Sequence, residues 1–146
     1  MGCGQNSIKQ EQIVSEWAEC RKVQDMSGEN KRKVGSSYEK QAAKYLKERG
    51  YQILAQNYRC RIGEIDLIAR DGRYLVFIEV KYRRDAKAGM PQEAVDYRKQ
   101  VVISKVAAYY CMVHHYREDT PCRFDVAAIC GDEVTLIQNA FAYAGD

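Results

Sequence analysis

One stretch of the chain, from Gly63 to Lys81, restricts the fold more than any other. It reads G-E-I-D-L-I-A-R-D-G-R-Y-L-V-F-I-E-V-K. Two apolar runs flank a Gly-containing turn, and this pattern is typical of a β-hairpin. Strands normally exclude Asp, Glu and Lys, yet these runs contain Glu64, Asp66, Glu79 and Lys81. The charges must therefore either face solvent or be gathered for a chemical purpose.

The spacing of the charges decides whether they can meet. Side chains alternate between the two faces of a strand, so Asp66 shares a face with Glu64, and Glu79 shares a face with Lys81. A two-residue Asp71-Gly72 turn and a four-residue loop both pair residues whose numbers add to an odd value. Either register therefore places Asp66, Glu79 and Lys81 on one side. With the two-residue turn, Glu64 is opposite Glu79. With the four-residue loop, Glu64 lies one strand pair further from Glu79 than Asp66 does, and it is then the weaker candidate for a metal ligand.

Two carboxylates and one ammonium group on one face suit a specific chemistry. Neighbouring carboxylates raise each other's pKa unless a cation intervenes. Mg²⁺ fits such a place because it takes oxygen ligands and keeps several waters. A lysine beside the metal can stabilise phosphate charge or assist a water, so the pattern predicts metal-assisted phosphodiester hydrolysis. The alternative is a solvated face with one Glu–Lys ion pair, which contributes about 0.2–1 kcal/mol.

The flanking sequence predicts a mixed α/β fold. A helix is expected from Ser36, with Ser36 and Glu39 as a capping box and Gly50 as its end. A strand over 51–58 follows, then the central hairpin. Pro91 is expected to open a long helix that ends near His114, before a second hairpin over 123–137. The order α-β-β-β-α-β-β places helices against a central sheet.

The first 33 residues differ from the rest of the 146-residue chain. Residues 8–23 have helical spacing on Ile13 and Trp17, which predicts an amphipathic helix. Residues 26–35 are polar and contain glycine, which is typical of a linker. We therefore predict an extension over 1–33 and a folded domain over 34–146. The extension could dock on the domain, on a second copy to form a homodimer, or on another protein.

The composition of the chain predicts where in the cell the protein is found. The six cysteines include no C-x-x-C pair, and the chain opens without a hydrophobic leader. Together these features predict reduced thiols in a cytoplasmic protein. No apolar run reaches the roughly 18 residues of a membrane span. The net charge of +3 is compatible with a nucleic-acid partner but does not by itself require one.

The charged hairpin is part of a wider resemblance. Asp66 followed by Glu79-Val80-Lys81 is similar to the D…E-x-K signature of the PD-(D/E)XK nuclease superfamily. A wider set of positions extends this signature: Gly35, Glu39, Ala42, Tyr45-Leu46, Gly50-Tyr51, Asn57-Tyr58-Arg59, Gly63 to Ala69, Val76 to Lys81, Arg83, Ala94-Val95, Lys99, Arg123 to Val126 and Asn139 to Phe141. Through these positions the chain closely resembles, over about residues 34–146, the YraN-like family of bacterial proteins.

That resemblance implies a restriction-endonuclease-like core whose active site lies at the opening of the central hairpin. On this template Asp66 and Glu79, helped by the Val80 carbonyl, would hold Mg²⁺ or Mn²⁺. Lys81 would act on the water or the phosphate. Glu39 would contact the metal through water or bind a second ion, unless it serves only as the partner of Ser36 in the capping box.

The implied substrate is DNA. The resemblance places Lys99 or Gln100, on the second helix, against phosphate or at the edge of the site. Arg83 and Arg84 belong to a basic stretch that is a candidate phosphate track beside such a site, although a charge run is usually a solvated face. The alternative function is a non-catalytic nucleic-acid-binding or partner-binding module that retains the nuclease fold.

Overall fold

The computed structural model describes residues 29–82 and 95–145, with side chains from residue 37 onward. The predicted amphipathic helix over 8–23 lies outside these ranges, as do Arg83, Arg84 and Pro91. The order of elements agrees with the prediction. The elements are α1 (Glu29–Glu48), β1 (Gln52–Arg59), β2 (Glu64–Asp71), β3 (Tyr74–Tyr82), α2 (Tyr97–Val113), β4 (Cys122–Cys130) and β5 (Glu133–Phe141).

The strands form one mixed sheet with the order β1-β2-β3-β4-β5. Strands β3 and β4 are parallel, and the other neighbouring pairs are antiparallel. Parallel neighbours need a crossover connection, and here α2 lies between them in the chain. The predicted α/β class is confirmed, and the arrangement is consistent with a restriction-endonuclease-like core.

Two apolar clusters pack on opposite faces of the sheet. Ile103 and Val106 of α2 pack with Phe77 of β3 in one cluster. Leu46 of α1 packs with Ile78 of β3 in the other. Because successive strand residues point to opposite faces, β3 must be apolar at almost every position. This explains why its sequence is a continuous hydrophobic run rather than an alternating one.

The first helix begins earlier than predicted. It starts at Glu29 and runs through residues 29–35, where a linker was expected. The Ser36–Glu39 capping box is therefore wrong, because both residues lie inside the helix. Glu, Lys and Arg favour helix, so the charged stretch extends it. The end is as predicted: Gly50 has φ of +90°, and the Tyr51 N–H donates to the Leu46 carbonyl as in a Schellman motif.

The second helix begins later than predicted. It starts at Tyr97 with Asp96 as its N-cap, and the Asp96 side chain accepts a hydrogen bond of 2.8 Å from the Lys99 N–H. A start at Pro91 is therefore wrong, because Val95 and Asp96 are not helical. An aspartate that satisfies a free N–H group of the first turn decides the boundary here. The end near His114 is confirmed.

The central hairpin pairs Asp71 with Tyr74 across a two-residue turn at Gly72 and Arg73. This is the register expected for a four-residue loop, reached with a shorter turn, and the alternative turn at Asp71-Gly72 is wrong. Gly72 has φ of +59°, which the first central position of a primed hairpin turn requires. The pairing sum is odd, as predicted, so Asp66 and Glu79 come to the same side of the hairpin.

Four cysteines in the described ranges, Cys60, Cys111, Cys122 and Cys130, are not joined by disulfide bonds. In the same ranges, no helix combines the length and the apolar character needed to cross a membrane.

Candidate active site

Strands β2 and β3 separate at one end, and the candidate site lies in the opening. Their last pair is Leu67 with Ile78. Beyond it β2 continues along β1 as far as Glu64, while β3 continues along β4 as far as Tyr82. Asp66 and Glu79, which would form the next pair, therefore stand at the point where the sheet opens.

Asp66 replaces a backbone partner that β3 has lost. Its Oδ2 accepts a hydrogen bond of 2.8 Å from the Val80 N–H. A hydrogen bond also joins the carboxyl groups of Asp66 and Glu79. Asp66 is thereby anchored to β3 although it belongs to β2, and the two carboxyl groups are brought into contact.

Strand β1 is also distorted opposite Asp66. Gln56 pairs with Leu67 and Tyr58 with Ile65, so Asn57 and Asp66 are left out of the ladder. Asn57 has φ of +53°, a left-handed conformation that Asn adopts more readily than most residues. Its side chain hydrogen bonds to Glu39. This conformation thus directs the Asn57 amide towards a carboxyl group of α1.

Glu39 and Glu79 hold their protons far more tightly than free glutamates. Burial is the main cause and the Asp66 charge is the second, and together they raise the pKa of Glu79 to about 8. The same two causes raise the pKa of Glu39 to about 7. Three carboxyl groups thus share a poorly solvated place, where full ionisation is unfavourable without a cation.

Two lysines supply positive charge beside Glu79. The Nζ of Lys81 lies 3.6 Å from Glu79 Oε2, and the Nζ of Lys99 lies 3.8 Å from the same oxygen. Both ammonium groups lower the pKa of Glu79, with Lys99 the stronger influence, but burial outweighs them. Lys81 comes from the same strand as Glu79, whereas Lys99 comes from the first turn of α2.

The remaining candidates lie at the margin of this cluster or outside the described ranges. Glu64 pairs with Arg59 at 2.9 Å, and the two side chains are 37% and 56% exposed. After burial and the Asp66 charge, the Glu64 charge makes a smaller contribution to the raised pKa of Glu39. The Gln100 side chain donates at 2.9 Å to the carbonyl of Val95, which lies just before the start of α2. A phosphate contact by Gln100 stays a prediction, as does the phosphate track over Arg83 and Arg84.

The donor set can be tested against a divalent ion. In residues 29–82 and 95–145, no group of three or more His, Cys, Asp or Glu side chains is arranged to hold one metal ion. The predicted ligands are fewer: the carboxylates of Asp66 and Glu79 and the Val80 carbonyl. Glu39 Oε2 is buried and has no hydrogen-bond partner. An orphaned carboxylate oxygen beside two more carboxyl groups fits a hard cation that prefers oxygen.

Sequence reasoning missed one feature of this site. Nothing in the periodicity of β1 predicted a role for Asn57, although an Asn inside a strand is a signal for left-handed backbone. Lys99 or Gln100 was expected against phosphate or at the edge of the site. The Lys99 ammonium group lies beside Glu79, and its contact with phosphate stays a prediction.

The chain was compared with known proteins. The model of a family described as "Uncharacterised protein family UPF0102" matches residues 38–129. A UPF0102 protein of Lachnoclostridium phytofermentans is 54% identical over 112 residues, which cover 77% of this chain and 95% of the relative. UPF0102 proteins of Syntrophus aciditrophicus and Caldicellulosiruptor saccharolyticus are 48% and 41% identical, again over 77% of this chain and over 91% and 99% of the relatives.

Proposed function

The chain belongs to the uncharacterised protein family UPF0102, the YraN-like family, and we propose that it is a divalent-metal-dependent nuclease that hydrolyses phosphodiester bonds in DNA. One observation carries the proposal. Asp66 lies beside Glu79 and beside Glu39 at the opening of the hairpin, and burial together with the Asp66 charge raises the pKa of Glu39 to about 7 and that of Glu79 to about 8. Such shifts beside a charge partner are typical of functional sites.

Asp66, Glu79 and the Val80 carbonyl would hold Mg²⁺ or Mn²⁺, and Glu39 would contact the ion through water or bind a second one. All these donors are oxygens, which such ions prefer. When bound, the ion supplies a water of lowered pKa and a positive charge beside the phosphate.

The chain's own residues have separate roles in the hydrolysis. Lys81 and Lys99 flank Glu79, so that their ammonium groups can donate to phosphate oxygens as negative charge develops. Glu39 has a pKa of about 7, which suits a group that accepts a proton from the attacking water. Its unpartnered Oε2 is the atom that would receive the proton. Arg83 and Arg84 would extend the phosphate contacts along the DNA.

Isosteric variants provide the test. We expect the full chain with Mn²⁺ to cut single-stranded, branched or linear DNA. Asp66→Asn and Glu79→Gln should each lower the rate by at least roughly 100-fold, because each removes a carboxylate from the donor set. Lys81→Met should also lower the rate of DNA cleavage severely. Cleavage at equal rates by the wild type and the first two variants would refute the proposal.

Glu64→Gln is the matched control. It removes a carboxylate from the same strand as Asp66, but one that pairs with Arg59 on the surface. We expect its cleavage rate to stay within about twofold of the wild type, since exposed ion pairs contribute little. Melting temperatures of all variants would show that each is folded.

The alternative function, a binding module without catalysis, is favoured by the two lysines beside Glu79. Their ammonium groups supply positive charge where the nuclease would place an ion. Metal binding separates the two functions. Under the nuclease proposal, Mg²⁺ or Mn²⁺ raises the melting temperature of the wild type but not of Glu79→Gln. A binding module would show salt-dependent DNA affinity and no stabilisation by metal.

A further inference from the structure

Two tyrosines stack at the rim of the candidate site. The rings of Tyr38 and Tyr82 have centroids 4.4 Å apart and are inclined by 15°. Each is the chain neighbour of a site residue, because Tyr38 precedes Glu39 and Tyr82 follows Lys81. The stacked pair therefore joins α1 to β3. Because successive strand residues alternate, the Tyr82 ring lies on the α1 side of β3, opposite the side chains of Glu79 and Lys81.

The pair is unusual in its exposure. Tyr82 is 44% exposed although Tyr38 covers part of its ring, and the other large hydrophobic side chains exposed in the described ranges are Tyr97 and Val113. The stacked pair of Phe77 and Phe124, by contrast, is sealed in the core. Tyr82 thus presents aromatic surface to solvent at the edge of a polar site.

Packing of α1 does not require this exposed ring. Ala42, Ala43 and Leu46 are almost completely buried, and they hold the helix against the sheet. Tyr38 lies one turn before them and packs only at the margin of that cluster. The aromatic pair therefore extends beyond the core towards the opening between β2 and β3.

We propose that Tyr82, supported by Tyr38, is a stacking platform for an unpaired base of the substrate. The substrate class is then DNA that carries unpaired nucleotides close to the cleaved bond. This inference rests on the proposed function, because it assigns the substrate of the same site.

The chemistry of stacking selects unpaired nucleotides. A base within a duplex is covered on both faces by its neighbours, whereas an unstacked base offers a free face to an aromatic side chain. Two lysines that face the site supply the charge that a phosphate backbone requires. A carboxylate cluster alone would repel DNA, so the lysines and the ring together favour a nucleotide ligand.

The distances suit a short span of DNA. Tyr82 follows Glu79 by three residues, which is about 10 Å along a strand that rises about 3.3 Å per residue. Stacked bases of one strand are spaced by about 3.4 Å. Since Tyr82 and Glu79 also point to opposite faces of β3, the base held by Tyr82 would lie at least about three nucleotides from the bond that the carboxylates address.

The experiment measures binding without cleavage. The full chain is titrated, with a chelator and at one fixed salt concentration, into a fluorescent single-stranded oligonucleotide and into a blunt duplex of the same sequence. We expect Tyr82→Ala to weaken single-strand binding by about 5- to 150-fold, which corresponds to the loss of one stacked base. Tyr82→Phe should bind within about twofold of the wild type, because it keeps the ring. Neither variant should change duplex affinity by more than about twofold.

Tyr45→Ala is the control for removal of a tyrosine from α1. Its ring lies under Arg49 and outside the pair, so it should leave single-strand binding unchanged, while Tyr38→Ala should weaken it. Melting temperatures would show that each variant is folded.

The result decides the platform and the nuclease separately. Three results would each overturn the platform. Tyr82→Ala could bind the single strand as tightly as the wild type does, or it could lose the same affinity for single strand and duplex. The wild type could also bind the duplex as tightly as the single strand. Selective loss in Tyr82→Ala, with no cleavage by the wild type in Mn²⁺, would support the platform and refute the nuclease. If the wild type and Tyr82→Ala cleave fully paired DNA at the same rate, this result would support the nuclease and refute the platform.

Discussion

At the scale of single residues, Asp66 links the fold to the chemistry. Its carboxylate accepts the Val80 N–H and so stands in for a missing backbone partner between β2 and β3. After burial, which is the main cause, the charge of the same carboxylate does most to raise the pKa of Glu39 and of Glu79. Asp66 therefore contributes both to the hydrogen bonding at the end of the strand ladder and to the unusual protonation of the site.

The raised pKa values predict a pH-dependent stability in the absence of metal. Glu79 and Glu39 have folded pKa values of about 8 and about 7, above the ordinary 4.5. Between these values the folded state binds more protons than the unfolded state, so the free energy of unfolding falls as pH rises from about 5 to about 8. Each unit of difference in pKa contributes up to about 1.4 kcal/mol.

Glu79→Gln tests this prediction. The amide cannot ionise, so the variant should lose less stability than the wild type between about pH 5 and about pH 8. Urea unfolding in the presence of a chelator would measure both slopes. If the free energy of unfolding falls equally steeply with pH in the wild type and in Glu79→Gln, the pKa of Glu79 is not raised in the folded protein.

Asn57 is predicted to position Glu39. Its hydrogen bond lowers the pKa of Glu39, so Asn57→Gly and Asn57→Ala should both raise that pKa further, as measured by NMR titration of the carboxyl carbon. The two variants differ in stability. Glycine tolerates the φ of +53°, whereas alanine there costs about 1–2 kcal/mol more. An unchanged Glu39 titration in both variants would contradict the positioning role.

At the scale of the elements, the contact between α2 and the start of β2 sets the depth of the site. Gly63 is buried just before β2, and a Cβ there would lie 2.5 Å from Val102 Cγ1. Only glycine allows this close approach. Since Lys99 lies one turn before Val102 on α2, the same approach places its ammonium group within reach of Glu79.

Gly63→Ala is therefore expected to destabilise the protein by about 1–3 kcal/mol through overpacking. Val102→Ala in the same chain should recover part of the loss, since it removes the clashing methyl group. A double-mutant cycle by urea unfolding measures this coupling. Gly72→Ala is the control: it has open space but φ of +59°, so Val102→Ala should not rescue it. If the stability losses of Gly63→Ala and Val102→Ala simply add in the double variant, the close approach of Gly63 to Val102 is contradicted.

At the scale of the whole molecule, a buried polar network holds the sheet together at the end away from the site. Arg123 donates to Asp125 at 2.9 Å and to Asp71 at 2.9 Å. It also donates to the Tyr51 hydroxyl at 2.7 Å, while Asp125 accepts the Asn139 N–H at 2.9 Å. The network joins the chain before β1 to β2, β4 and β5. Asp125, which has no exposed surface, is thereby completely paired.

Arg123→Ala should destabilise the protein by about 3–5 kcal/mol, because it leaves a buried carboxylate without its cation. Arg117→Ala is a matched control, since Arg117 pairs with Asp119 two residues on, as Arg123 does with Asp125. That pair is 86% and 73% exposed and should contribute less than about 1 kcal/mol. Chemical denaturation measures both variants, and equal losses would contradict a buried role for Arg123.

Much of this architecture could be predicted from local patterns. Two short apolar runs on either side of a Gly-containing turn indicate β2 and β3, and parity alone brings Asp66, Glu79 and Lys81 to one side. Gly50 marks the end of α1. Helix starts were less predictable: a Ser-x-x-Glu match at Ser36 and a proline at 91 are each plausible beginnings. The chain instead continues α1 back to Glu29 and caps α2 at Asp96, because helix propensity and a capping carboxylate outweigh those signals.

The sequence by itself thus determined the order of elements, the hairpin and the identity of its paired charges. The resemblance named Glu39 and Lys99 as further site residues, but only the tertiary structure decided how these distant residues join the paired charges. Glu39 comes from α1 and Lys99 from α2, two helices packed against opposite faces of the sheet, and Asn57 reaches the site through a left-handed turn within β1. Periodicity reports which face a residue takes within its own element. The position of that element relative to the others follows from packing between segments far apart in the chain, which no local pattern encodes.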